Sequence, residues 1–274
     1  MLLKDEKIKK GDIIYYSDPL NDDFEKNKLE RKDLPKNFKY IRKNIFFRLS
    51  SFLIYFLIAK PILGLICLCL GVKVKGRENL KKVHKQGAFL YMNHTSFLDV
   101  LTIQVMVVRF KRAKIIGYTD SLDLPFLLKW LTLLLGFIPL PSSIRDLRKF
   151  EEGLVQDVTK DKKDIIIFPE AHIWPYCTDI RPFVAGSFKY PAKLNAPAIP
   201  LVTCFRKSKL SSKPKATIYV LKPVYPKEAL SVNENRDYLR DECFNQMKEA
   251  AKKYNSYEYV KYVYKEKEKK VDEE

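Results

Sequence analysis

At 274 residues with 46% hydrophobic side chains, the chain is long and apolar enough to bury a full core, which excludes a disordered segment or a disulfide-stapled miniprotein. Its formal net charge of +18 predicts attraction to anionic partners, whether a phospholipid surface, an acidic carrier protein or nucleic acid. No zinc-ligand spacing and no glycine-aromatic RNA signature accompanies that charge, so nucleic acid is set aside, and five cysteines without paired spacing fit a reducing compartment.

Residues 1–44 form a polar, basic N-terminal arm whose opening, Met1 to Lys7, is too charged for a signal peptide, so export is not expected. Lys36, Lys39, Arg42 and Lys43 stand just ahead of the strongest apolar stretch, a pattern that reads as contact with the headgroups of an anionic membrane surface. From Ile45 to Leu70 only Arg48 and Lys60 are charged. A tilted membrane span, a helical hairpin half-buried in one leaflet and a soluble core hairpin all fit that composition. Lys60-Pro61 favours the hairpin, since it cuts the stretch into two pieces of about 15 to 18 Å as helix, against a hydrocarbon core of about 30 Å. Residues 45–71 are therefore expected to be a membrane-anchoring segment.

The main domain, residues 72–255, alternates strand-like and helix-like patterns. Apolar runs at 87–92, 113–118, 164–168, 198–203 and 216–221 read as strands, and residues 97–109, 124–135, 145–159, 185–194 and 228–255 as helices. The expected fold class is α/β, a mixed central sheet flanked by helices, with an N-terminal apolar membrane-anchoring helical hairpin. Residues 256–274 complete the chain as a charged tail. The tyrosines from Tyr254 to Tyr264 read as part of a packed terminal helix rather than a membrane interface.

One stretch carries chemistry. Asn93-His94-Thr95-Ser96-Phe97-Leu98-Asp99 follows the strand at 87–92 and opens a helix, so Asp99 can fold back onto one imidazole nitrogen of His94. The other nitrogen then faces substrate as a base, and a substrate hydroxyl takes the place of the serine in a triad. Thr95 lies at the helix start, where backbone donors favour a developing oxyanion. Ser96 and Cys204 are nucleophiles by residue type only, with no motif around either. The spacing of His94, Asp99, Glu170 and His172 matches no metal site, and no cofactor is expected.

Asn93-His94 followed by Asp99 resembles the NHxxxxD motif of the glycerophospholipid acyltransferases, the lysophosphatidic acid acyltransferase family. Phe168-Pro169-Glu170 resembles the start of that family's FPEGTR block, and Ala196-Pro197-Ala198-Ile199-Pro200-Leu201 its later apolar-proline block. The resemblance covers about residues 75 to 222. It implies His94 and Asp99 as the catalytic pair, and acyl transfer from acyl-CoA or acyl carrier protein to a lysolipid acceptor of the 1-acylglycerol-3-phosphate type, without an acyl-enzyme. It further implies an enzyme of phospholipid biosynthesis on a membrane, with the catalytic domain on the cytoplasmic face. The candidate substrate-binding residues are Asn93, Ser96, Arg145, Glu170, His172 and Arg181.

The sequence departs from the family pattern at three charges. Ser142 stands where the family has an arginine, Ala171-His172-Ile173 replaces Gly-Thr-Arg, and Val184 falls where a lysine is common. Arg145 and Arg181 are the substitutes at hand, since a guanidinium offers phosphate a planar fork of donors. Trp174 and Tyr176, next to this block, suit a lipid interface. Alternatives to the phosphate-bearing acceptor are another lysolipid or a non-catalytic lipid-binding protein of the same fold.

Overall fold

The protein, described as a computed structural model, is defined over residues 8–24, 33–35, 38–108, 111–209 and 211–266. Lys36, Arg109, Met1 to Lys7 and the charged end 267–274 lie outside the described residues. Nine strands are used below: β1 (Ile13–Tyr16), β2 (Lys73–Lys75), β3 (Phe89–Met92), β4 (Ala113–Gly117), β5 (Phe137–Pro139), β6 (Asp164–Ile167), β7 (Ala198–Arg206), β8 (Lys215–Val220) and β9 (Lys261–Tyr264).

Seven of them form one mixed sheet in the order β2-β8-β7-β3-β6-β4-β5. β3 sits at its centre, parallel to both β6 and β7, while β7 and β8 pair antiparallel. Every side chain of β3 is wholly buried because helices cover both faces, and this is why the run reads as uninterrupted apolar rather than alternating. The alternation survives in what each side chain touches. Phe89 and Tyr91 pack with Phe150, Leu154, Leu239, Cys243 and Met247 on one face. Leu90 and Met92 pack with Ile103, Val105 and Cys67 on the other. Tyr91 stacks on Phe188 at 3.9 Å between ring centres and donates its hydroxyl to the Ser187 carbonyl at 3.0 Å.

The first face is covered by helices Ile144–Val155 and Val232–Tyr254, the second by the segment Asp99–Val107 and by an apolar helix from Ile45 to Cys69. That apolar helix is unbroken, which corrects the expected hairpin. The reason lies just before the proline. Residues Ile54–Ala59 form a wide π-turn, and the Lys60 N–H reaches back five residues to the Tyr55 carbonyl. Pro61 then stands in the first turn of the next α-helical stretch, where it has no N–H to offer and none is required. The Lys60 charge is met on the spot, because its ammonium donates to the Val108 carbonyl at 2.8 Å and lies over the Tyr55 and Phe56 rings.

Among the described residues this is the one helix long and apolar enough to cross a membrane, and only 11% of its most apolar stretch is buried. Tyr55 and Cys67 hold one side to the domain, and Tyr55 donates to the Gln104 carbonyl at 3.1 Å. Phe46, Leu49, Leu57, Ile62 and Leu65 are exposed along the other side. Phe126 and Leu127, at 77% and 78% exposure, extend that apolar surface on the helix Phe126–Leu134, which touches the first helix through Phe47 and Trp130.

The two ends of the chain meet. β1 and β9 pair in parallel, Ile13 opposite Lys261 through Tyr16 opposite Tyr264. The helix Val232–Tyr254 stops at Asn255, and the tyrosines beyond it continue as a strand rather than a helix, with Tyr259 and Val260 buried against Tyr176 and Phe205.

Candidate active site

His94 follows β3 directly, at the carboxyl end of the central strand, and Glu170 follows β6 after one turn. Asn93 fixes the exit. Its amide accepts from the Thr203 N–H at 2.8 Å and donates to the Thr203 carbonyl at 3.3 Å, so a side chain stands in for one rung of backbone pairing to β7. Asn93 is thereby spent on the scaffold, 1% exposed.

Nδ1 of His94 lies 3.4 Å from Oδ2 of Asp99. The same oxygen accepts from the Thr95 N–H at 2.6 Å, the Ser96 N–H at 2.8 Å and the Thr95 hydroxyl at 3.3 Å. Asp99 therefore folds back over the turn that precedes its own helix and draws the imidazole into the same cluster of donors. The two backbone N–H groups expected to greet an oxyanion are occupied by this carboxylate, which corrects that expectation. Ser96 is likewise engaged, its hydroxyl accepting from Leu98 N–H at 3.2 Å.

The imidazole stacks on Phe168, ring centres 4.0 Å apart and 17° from parallel. Its Nε2 has no partner among the described residues and is not sealed from solvent, although His94 as a whole is only 9% exposed. A ring held flat by Phe168 and anchored through Nδ1 can exchange a proton at Nε2 alone.

Glu170 is buried and both its oxygens face inward. Oε2 accepts from the His94 N–H at 3.1 Å and from Nη2 of Arg181 at 3.0 Å, while Oε1 accepts from the Arg181 N–H at 2.9 Å. Burial pushes its carboxyl up from the ordinary range, and the Arg181 guanidinium works against that push. Glu170 thus clamps the backbone of His94 to the segment that follows β6. Arg181, 4% exposed, also donates to the His172 carbonyl and lies 4.6 Å from the Trp174 ring centre, leaving Nε and Nη1 buried without a partner.

The lip after Glu170 differs from the expected lipid-facing ring pair. Trp174 is 2% exposed and Tyr176 is 8%. Trp174 stacks on Tyr262 of β9, packs against Tyr16 and Phe24, and donates to the Asp22 carbonyl at 2.8 Å. The terminal strands claimed these rings, and a reading of local sequence had no means of pairing residues so far apart. His172 sits beside them with Nδ1 3.4 Å from Asp23. Ala171 has φ +64°, in the left-handed region that favours glycine, at a position where the resembling family carries glycine.

Arg145 lies at the start of the helix after β5, exposed, and makes no described bond to any of these groups. Cys204 is 1% exposed and burial pushes its thiol up to about 12, which removes it as a nucleophile. No group of residues able to hold a metal ion occurs among the described residues. Phe168 is legible in the sequence only as the first letter of Phe-Pro-Glu, and its ring contact with His94 is not.

Residues 71–204 match the family model described as Acyltransferase. The crystal structure of PlsC, the 1-acyl-sn-glycerophosphate (LPA) acyltransferase of Thermotoga maritima, superposes with a TM-score of 0.51 at 20% identity, over 74% of this chain and 86% of that one. The α/β fold is shared. No curated protein sequence gives a significant match.

Proposed function

From the match of residues 71–204 to the Acyltransferase family model, we propose that the chain moves a fatty acyl group from a thioester donor to a hydroxyl of a lysophospholipid at a membrane surface. The observation that carries the reading is the His94 ring, tethered at Nδ1 by Asp99, pressed on Phe168 and open at Nε2.

In this mechanism Nε2 takes the proton of the acceptor hydroxyl while its oxygen attacks the thioester carbonyl. Asp99 steadies the imidazolium that forms. Collapse of the tetrahedral intermediate breaks the carbon–sulfur bond, and the departing thiolate recovers the proton from Nε2. The products are the new ester and a free thiol, with no enzyme nucleophile and no net proton change. Glu170 and Arg181 keep His94 in place from behind rather than binding the acceptor hydroxyl or phosphate directly. A chain with net charge +18 suits donors that carry negative charge, acyl-CoA or acyl carrier protein.

The apolar helix supports contact with a membrane lying along the domain. Tyr55, Lys60 and Cys67 tie the helix to the protein at three points along its length while the opposite side stays exposed, an arrangement that suits one leaflet. Lys39, Arg42 and Lys43 beside it would meet anionic headgroups, which the cytoplasmic leaflet provides.

Ser142, Ile173 and Val184 favour an acceptor whose headgroup is held differently from the phosphate of the resembling family. Ser142 accepts from the Leu34 N–H at 3.3 Å, and Val184 is 65% exposed, so neither position supplies a cation. The test is purified protein given one labelled acyl-CoA, and separately the acyl carrier thioester, with a panel of lysolipids. A labelled diacyl product with one acceptor is expected. Transfer to none of them from either donor would leave a lipid-binding protein in place of an enzyme.

A further inference from the structure

A cavity lies at the opposite end of the sheet from His94. It encloses about 540 Å³ between residues 38–43, the first turns of the apolar helix, the starts of β4 and β5, and the turn before β6. Its walls carry seven cationic side chains and two carboxylates, Asp157 and Asp161. Both carboxylates are taken: Lys114 and Lys163 pair with Asp157 at 2.5 and 2.9 Å, and Lys163 with Asp161 at 2.5 Å. Lys39, Arg42, Lys43, Arg48 and Arg112 have no carboxylate within ion-pair reach among the described residues.

Several of these charges are held out of water. Arg112 donates to the Leu134 carbonyl and the Ser51 hydroxyl, but its Nε is buried with no partner. Burial pulls the Arg112 and Arg42 guanidiniums down from their ordinary range, and Arg42 lies over the Phe47 and Trp130 rings. Arg112 draws on Asp157 and Arg48 on Asp161 only beyond ion-pair reach, so seven cations share two carboxylates, and a partly buried excess of positive charge is costly to keep unless an anion shares the space. The cavity also opens onto apolar surface. Phe47 and Phe52 line it, while Phe46 and Leu49 of the same turns are 75% and 53% exposed.

We propose that this cavity binds the phosphate-bearing headgroup of an anionic phospholipid, whose acyl chains lie along the exposed side of the helix Ile45–Cys69. A free anion would meet the same cations but would leave that neighbouring apolar surface without a role. The site stands apart from the His94 centre, so the lipid held here is a docking ligand rather than the acceptor. The inference rests on the membrane contact proposed for the helix and not on acyl transfer.

The experiment uses the full chain and vesicles of phosphatidylcholine, with and without about 30% phosphatidic acid, an anionic lipid that makes the surface potential more negative. Lys39→Gln, Lys43→Gln and Arg48→Gln together, all at exposed positions, are expected to lower partition onto anionic vesicles by roughly 100-fold, about fivefold for each charge. Partition onto neutral vesicles and the melting temperature should not move. A control of equal charge, Lys222→Gln, Lys252→Gln and Lys253→Gln, changes three other exposed lysines. It is expected to stay within about threefold of the parent, since only charges near the lipid surface count fully. Equal losses in the two triples mean diffuse surface charge and overturn the site, as does an unchanged pocket triple. Calorimetry with inorganic phosphate separates the sources: saturable phosphate binding that the pocket triple abolishes, with vesicle partition intact, overturns the lipid assignment. Failure to bind neutral vesicles, by contrast, counts against the helix as a membrane contact while the anionic arm still judges the cavity.

Discussion

At the carboxyl end of β3, Oδ2 of Asp99 gathers two backbone N–H groups, a hydroxyl and an imidazole, and both oxygens of Glu170 are taken by His94 and Arg181. At the amino ends of β4 and β6, five cations line a cavity without a carboxylate to pair with among the described residues. The first arrangement ties one geometry down through several hydrogen bonds, as the proposed proton transfer at a single nitrogen requires. The second sets seven cations against two carboxylates and selects for whatever supplies the missing sign. Removing a member from the first should damage folding or chemistry, whereas removing a cation from the second should leave stability level or higher, because like charges there repel.

The largest effect expected is at the open nitrogen. His94→Ala should lower turnover by about three orders of magnitude or more, with the urea midpoint close to that of the parent. Near-normal transfer in that variant would falsify the general-base role. Next comes the buried pair that supports it. Arg181→Met leaves the Glu170 carboxylate buried without its cation and should cost about 3 to 5 kcal/mol in urea unfolding. A loss below about 1 kcal/mol would mean the pair is not what locks the His94 backbone.

A smaller effect concerns pH. Asp164 at the start of β6 is buried, and desolvation pushes its carboxyl from 3.8 to about 6, against the opposing pull of Lys111 and the Ala88 N–H. Its folded value is raised, so the folded state binds the extra proton between those two values. Its contribution to stability is present below about 3.8 and fades as pH rises through about 6. Asp164→Asn should flatten that part of the stability curve by about 2 to 3 kcal/mol, at roughly 1.4 kcal/mol per pH unit. A parent curve with no decline over that range would rule the effect out. The smallest concerns backbone strain: Ala171→Gly should gain about 0.5 kcal/mol, the left-handed penalty less the extra freedom glycine has when unfolded. A loss of stability would show that Ala171 is not strained.

The two ends also differ in how far a sequence can speak for them. His94 and Asp99 meet because they stand five positions apart around one turn, and β3, β4, β6, β7 and β8 announce themselves as apolar runs. β2 and β5, three residues each, are too short to carry a period. β1 and β9 depend on each other across nearly the whole chain. The continuous apolar helix was hidden by a rule that holds for ideal α-geometry, since Pro61 splits a helix only if no wider turn precedes it. Asn93 and Glu170 were legible as residues but not as braces, because what they grip is backbone. The basic cavity is the extreme case: residues 39, 48, 112 and 163 share it only after folding.

The parallel pairing of β1 with β9 sets an order of events during synthesis. Helix Ile45–Cys69 emerges from the ribosome early and can meet a bilayer at once, whereas Tyr262, the ring stacked on Trp174, is among the last described residues made. If the proposed membrane contact holds, a nascent chain would be moored before the rim beside its imidazole is finished, and the completed site would first exist on a protein already in place.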